Sequence, residues 1–182
     1  MAILKHISVK NRFYSSAVEY LTCQFDEYTN KPVLDEKGRI QERENYLIVG
    51  VNCDVDSFGA ECIEVNRLYG KNNSVKDVKA HHYIISFEPN DPITIEQALE
   101  FGKQWLSVFA PGHQAVVAVH PDGHNGSQNM HVHMVINSVR KYAGKQSRWH
   151  EKPCEWKLGC KHKSTGKMMF CSTVNSGTRL NA

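Results

Sequence analysis

Residues 115–139 read AVVAVHPDGHNGSQNMHVHMVINSV. Two β-branched apolar runs flank a loop of Pro, Gly, Asn and Ser, the pattern of two antiparallel strands joined by one connection. His120, His124, His131 and His133 all fall inside this stretch. His131 and His133 are two apart on the second strand, so both side chains leave the same face. Val132 and Met134 then point the other way, into apolar packing. One imidazole on a sheet face is commonly a hydrogen-bonded core residue. Two at i and i+2 conflict, because protonating either places charge beside the other. Metal coordination resolves the conflict by holding neutral imidazoles as ligands. His120 closes the first strand and, in a hairpin, approaches the same face from the side. Three imidazoles around one ion leave positions open, which suits catalysis better than a purely structural site. Asp122 is placed to accept a histidine N–H and so orient the ring. His124 is a further candidate, with Gly123 and Gly126 leaving its direction open.

Outward from this stretch the chain alternates strands and helices. KHISV (5–9), NYLIVGVNC (45–53) and HHYIISFEP (81–89) read as strands. RFYSSAVEYLTCQF (12–25) has Phe13, Ala17, Val18 and Leu21 near helical spacing, with Ser15 or Ser16 as N-cap. Asp56 or Ser57 caps a helix over FGAECIEVNRLYG, ended by Gly70. Thr94 caps TIEQALEFGKQWLSVF, stopped by Pro111-Gly112. TNKPVLDEKGRIQEREN (29–45) is polar and turn-rich, a hairpin or surface loop. The expected fold is α/β in the α+β sense: a central antiparallel sheet of about five strands with about three helices packed on it.

At 182 residues the chain fits one domain with a real core. The expected division is a globular body over 1–140 and a basic, partly irregular tail over 141–182. From Arg140 onward, ten Lys/Arg stand against two Asp/Glu, a net of +8, while the preceding 139 residues carry −5. A basic arm on a mildly acidic body suits a polyanionic partner. Arg148, Trp149, Lys152, Trp156, Lys157 and Lys161 mix cations with aromatics, as surfaces that track a single strand do. Arg67, Lys71 and Lys76 are further phosphate-binding candidates. The longest apolar runs are far shorter than a membrane span, so no membrane insertion is expected. MAILKHISVK lacks the h-region of a signal peptide. The expected compartment is the cytoplasm, with six reduced cysteines and no CxxC pair.

HPDGHNGSQNMHVHMVIN resembles the third motif of the MOBP-type relaxases, nucleases of the HUH endonuclease superfamily that nick one strand at an origin of transfer. The matching positions are His120, Asp122, His131, His133 and Asn137, with His131-Val132-His133 as the His-hydrophobe-His signature. SFEPNDPITIEQALEFGKQWL is similar to the family's Ser-Phe-x-Pro strand end and following helix. HQAVVAVHPD is similar to the strand leading into the motif. YSSAVEYLT resembles the N-terminal motif that carries the nucleophilic tyrosine, which maps the nucleophile onto Tyr20, with Tyr14 and Tyr28 as neighbouring alternatives. The resemblance spans about residues 3–140. Departures are a longer gap between Asp122 and His131 than many members have, and Asn129 where many carry another histidine. Family members also continue well past 182 residues, so an isolated nuclease domain or a truncation is expected.

The resemblance implies a divalent metal ion on His120, His131 and His133, with Mn²⁺ or Mg²⁺ in use; histidine ligands also suit Zn, Ni or Co. It implies transesterification: Tyr20 attacks the scissile phosphate, leaving a free 3′-OH and a 5′-phosphotyrosine that a later 3′-OH can reseal. A tyrosine pKa near 10 means the hydroxyl needs a proton acceptor. Asp122, His124 and the adjacent His81 and His82 are the candidates, and strand parity alone does not choose between His81 and His82. The implied partners are single-stranded or hairpin origin DNA, accessory relaxosome proteins and a coupling protein. The alternatives are a rolling-circle replication initiator, a histidine-ligated metallohydrolase without a covalent intermediate, and a zinc-stabilised DNA-binding module using Cys154, Cys160, His162 and Cys171.

Overall fold

The computed structural model describes residues 2–10, 14–26, 29, 31–121 and 129–142, together with two short strands further on. The elements run β1 (Ile3–Val9), α1 (Ser15–Thr22), β2 (Leu47–Val51), α2 (Phe58–Leu68), β3 (Ala80–Ser86), α3 (Ile95–Phe109), β4 (His113–His120) and β5 (His131–Arg140). β6 (Cys160–Lys161) and β7 (Met168–Met169) form a separate two-stranded ladder. β1 to β5 make one sheet in the order β1-β3-β5-β4-β2, and every neighbouring pair is antiparallel. The α+β architecture expected from the sequence is the one observed.

The centre of the sheet is the stretch quoted first. β4 is buried along its whole length and β5 at all but its first residue. Strands covered on both faces read as near-continuous apolar runs rather than clean alternations, and two layers of helix supply that cover. On one face α3 packs against Tyr83, Ile85, Val117, Val119, Val132, Met134 and Ile136. On the other, α1 and α2 bring Tyr14, Leu21, Phe58 and Cys62 onto Ala80, Val116, Ala118 and Val135.

α3 begins after Thr94 as the sequence predicts, and the structure adds a capping box in which Thr94 and Gln97 each accept from the other's backbone N–H. α1 and α2 differ from expectation. α1 starts at Ser15 with Tyr14 in the cap position, and neither helix has a side-chain cap hydrogen bond. Ser57 does precede α2, but its hydroxyl donates to Glu61 instead. Tertiary packing holds these two helices where local capping does not. The polar 29–45 segment folds back on itself through the Cys23–Glu42, Phe25–Pro32 and Leu34–Ile40 bridges, as a hairpin.

α3 approaches the sheet closely at Gly102, where a Cβ would stand 2.8 Å from Cγ1 of both Val117 and Val132. Valines have little χ1 freedom to yield. Gly102→Ala gains roughly 1 kcal/mol of helix propensity against about 1–3 kcal/mol of overpacking. The expected net result is a lower urea midpoint with an unchanged slope. A raised midpoint would mean that the helix–sheet contact is looser than these distances imply.

Candidate functional site

Strand register decides which side chains meet. His131 lies opposite His120 and Ser86, and His133 opposite Ala118 and Ile84. Alternation then puts His120, His131, His133 and His82 on the α1/α2 face. The ring centroids of His120 and His133 are 4.5 Å apart, and those of His131 and His133 6.2 Å. His120 and His133 are buried, whereas His131 is only half-buried, so the cluster reaches the surface at the β4–β5 loop end. Of the adjacent pair, His82 joins this cluster. His81 points to the opposite face, where it pairs with His6 at 2.8 Å and lies near Tyr83.

The backbone of α1 ties the nucleophile candidate to these rings. Carbonyls in a helix's last turn lack an intrahelical partner. The Leu21 carbonyl accepts from His120 Nε2 at 2.7 Å, and the Thr22 carbonyl accepts from the Arg43 N–H at 2.9 Å. A carbonyl can only accept, so His120 carries its proton on Nε2 and its lone pair on Nδ1. Tyr20, one residue before Leu21, sits edge-on to His82 and His133 with centroids at 5.9 and 6.2 Å, and against Phe25 at 5.3 Å. Helical spacing by itself puts Tyr20 opposite much of the apolar set of α1. In the structure it is half-buried beside that set, because α1 turns this edge toward the histidines.

His82 Nε2 and His133 Nδ1 are 3.0 Å apart. His133 Nε2 is buried and has no hydrogen-bond partner among the described residues. The tautomer in which His133 Nδ1–H donates to His82 leaves a bare lone pair on His133 Nε2, the state a metal ligand requires. The donor chemistry therefore fits a divalent ion with nitrogen ligands. As they stand, no three His, Cys, Asp or Glu side chains among the described residues already form a group that could hold an ion.

Burial keeps His82 and His133 neutral. It pushes His82 down to about 4, helped by the charges of Lys5 and His6. It holds His133 well below its ordinary value, with His120, His82, His131 and Arg43 adding to the effect. The unfolded chain, with histidines near 6.5, therefore takes up protons before the folded one does. For metal-free protein, stability is full above about pH 6.5 and is lost as pH falls toward the folded values, by up to about 1.4 kcal/mol per pH unit per histidine. Urea midpoints at about pH 7 and about pH 5 check this. Equal midpoints would show that the two rings stay solvated.

Other candidates are dispersed. Tyr14 is 3% exposed and its hydroxyl is held by Asn66, the Lys79 carbonyl and Asn137. Burial raises its pKa, so it is unsuited to nucleophilic attack. Asn137, a motif position that the sequence offers as a DNA-contact or supporting residue, is fully buried and engaged with Tyr14, Gln114 and His113, the arrangement of a supporting residue. Arg67 and Lys71 line one pocket of about 320 Å³ with Tyr14, Asn66, Asn72 and Lys79, while Lys76 is exposed outside it. Tyr28, Asp122, His124, Arg148, Trp149, Lys152, Trp156, Lys157, Cys154, His162 and Cys171 lie outside the described residues. Arg43 escaped the sequence reading because it sits in a polar hairpin with no motif, and only the fold brings it beside α1.

The chain belongs to the relaxase family of the MobA/VirD2-like type, whose nuclease-domain model matches residues 28–161. It is 36% identical over 103 residues to Protein rlx of Staphylococcus aureus, covering 57% of this chain and 30% of that protein. It is 40% identical over 99 residues to the Group II intron-interrupted relaxase LtrB of Lactococcus lactis subsp. cremoris (strain MG1363), covering 54% of this chain and 15% of that protein. The matched stretch is thus less than a third of either relative's length. No helix among the described residues is long and apolar enough to cross a membrane.

Proposed function

We propose that this chain nicks one strand of DNA at an origin of transfer, with Tyr20 as the nucleophile and His120, His131 and His133 as ligands of a divalent ion. The observation that carries the reading is the buried, unpartnered Nε2 of His133, on the face that Tyr20 edges. Family membership supports a DNA substrate. The tyrosine lies before the matched span, so its role rests on its place in the fold.

When bound, the ion supplies Lewis-acid neutralisation of charge growing on the scissile phosphate. His82 fixes the tautomer of His133, and His120 does the same for itself through the Leu21 carbonyl. The Tyr20 hydroxyl gives up its proton and forms a bond from its oxygen to phosphorus. The phosphorus–O3′ bond breaks, the 3′ oxygen takes a proton, and the downstream strand stays on the protein as a 5′-phosphotyrosine. The reverse attack by a 3′-OH reseals the strand, because the phosphoester bond count is unchanged. Asp122 is proposed as the acceptor that orients a histidine N–H. Mn²⁺ or Mg²⁺ is the proposed ion, and accessory proteins and a coupling protein are the proposed company of a longer relaxase.

The test is a trapping assay with 3′-labelled single-stranded origin DNA and Mn²⁺, resolved on a denaturing protein gel. A labelled protein band is expected. Cleavage without such a band would replace tyrosine attack by direct hydrolysis.

Arg67 and Lys71 are proposed to hold strand phosphates beside their pocket. Arg67→Gln and Lys71→Gln should each weaken binding of uncleaved single-stranded DNA and lower the log–log salt slope by about 0.7. An unchanged slope would remove that residue from the DNA surface.

A further inference from the structure

The polar hairpin that follows α1 ends on Arg43, and the backbone pins it there. Gln24 donates to the Gln41 carbonyl at 2.8 Å and Arg43 to the Thr22 carbonyl at 2.9 Å. Arg43 therefore stands beside the last turn of α1, opposite a residue two positions from Tyr20. The same turn's Leu21 carbonyl is bound to His120, so tyrosine, histidine and arginine are gathered around one helix end. The Arg43 side chain is half-buried, and its Nε is sealed from solvent with no acceptor among the described residues. None of the ion pairs among those residues involves Arg43. Its positive charge is one of those felt by His133.

A guanidinium with a sealed N–H, beside the last turn of α1 and near enough for its charge to be felt by His133, is costly to keep without a counter-charge. Surface solubility does not account for it, since that role needs no sealed Nε. Its planar fork of donors matches the oxygens of a phosphate. We infer that Arg43 binds the scissile phosphate, neutralising it from the α1 side while the histidine-held ion neutralises it from the sheet side. The inference rests on the reading of this site as a phosphodiester transesterification centre. It adds a residue that no motif marks. Arg43 also acts at a distinct moment: its donors meet the phosphate oxygens as they gain charge, whereas His82 acts earlier, on ligand geometry.

The test compares wild type, Arg43→Ala and Arg43→Lys as full chains in single-turnover trapping, with Mn²⁺ affinity measured by calorimetry on the same samples. Arg43→Ala is expected to slow adduct formation by about 10²-fold or more, the scale of removing one donor to a developing oxyanion. Its Mn²⁺ affinity and melting temperature should match wild type. Arg43→Lys should retain part of the rate, and added guanidinium chloride at millimolar concentration should restore part of it in Arg43→Ala where sodium chloride does not. An unchanged rate in Arg43→Ala overturns the inference. So does a lost rate accompanied by lost Mn²⁺ affinity or melting temperature, or one that neither lysine nor guanidinium recovers. Absence of adduct in wild type itself would instead sink the transesterification reading, and this inference with it.

Discussion

Tyr20→Phe is expected to yield a folded chain that binds the ion and the DNA and forms no covalent adduct. The ring contacts to Phe25, His82 and His133 survive the change, so stability should move by no more than about 0.5 kcal/mol. What is lost is one oxygen. If that oxygen is the nucleophile, no other group supplies the same bond, and single-turnover trapping should fall by at least about 10⁴-fold, as when a nucleophile is removed from a concerted unit. Tyr28→Phe, run beside it, should trap at the wild-type rate. The reverse pattern would move the nucleophile to Tyr28 and keep the chemistry. Strand cleavage that persists in both variants without an adduct would make water the attacking group.

His133→Ala is expected to remove both Mn²⁺ binding and nicking, through loss of the nitrogen that has no partner among the described residues. An orienting partner's loss costs roughly 10–100-fold in metal affinity, so loss of the ligand itself should cost more. The ring is 1% exposed, and its removal leaves a cavity, with an expected stability loss of about 2–4 kcal/mol. His131→Ala separates the two effects. That ring is half-buried at the rim, so it should lose metal affinity with little change in melting. Calorimetry with Mn²⁺ on His131→Ala, His133→Ala and Tyr20→Phe reads all three, and only the last should titrate like wild type. If His131→Ala and His133→Ala both bind Mn²⁺ normally, the histidines are a packed cluster and the ion lies elsewhere.

Much of this was legible before the fold. The apolar runs around the histidine loop are long enough and β-branched enough to demand central strands, and they are β4 and β5. The parity of His131 and His133 is a property of any strand, so their shared face needed no tertiary information. Thr94 announces the start of α3 because an N-cap is local chemistry. The start of α1 was less legible, since Tyr14 occupies the cap position without a side-chain bond and the helix depends on packing against the sheet.

The division between sequence and structure follows the range of the interactions. Interactions within a few residues, alternation along a strand and spacing along a helix, determined the strands, the helices and the facing of His131 with His133. Which elements touch is decided by pairings far apart in the chain, where loop closure and burial compete and no local pattern records the result. That register selected His82 over His81, placed His133 Nδ1 on His82 Nε2 across 51 positions, and tied Leu21 to His120 across 99. It also turned Tyr20 inward beside the apolar set and set Arg43 next to it. The sequence by itself determined which residue types could perform the chemistry; the antiparallel order β1-β3-β5-β4-β2 decided which of them meet.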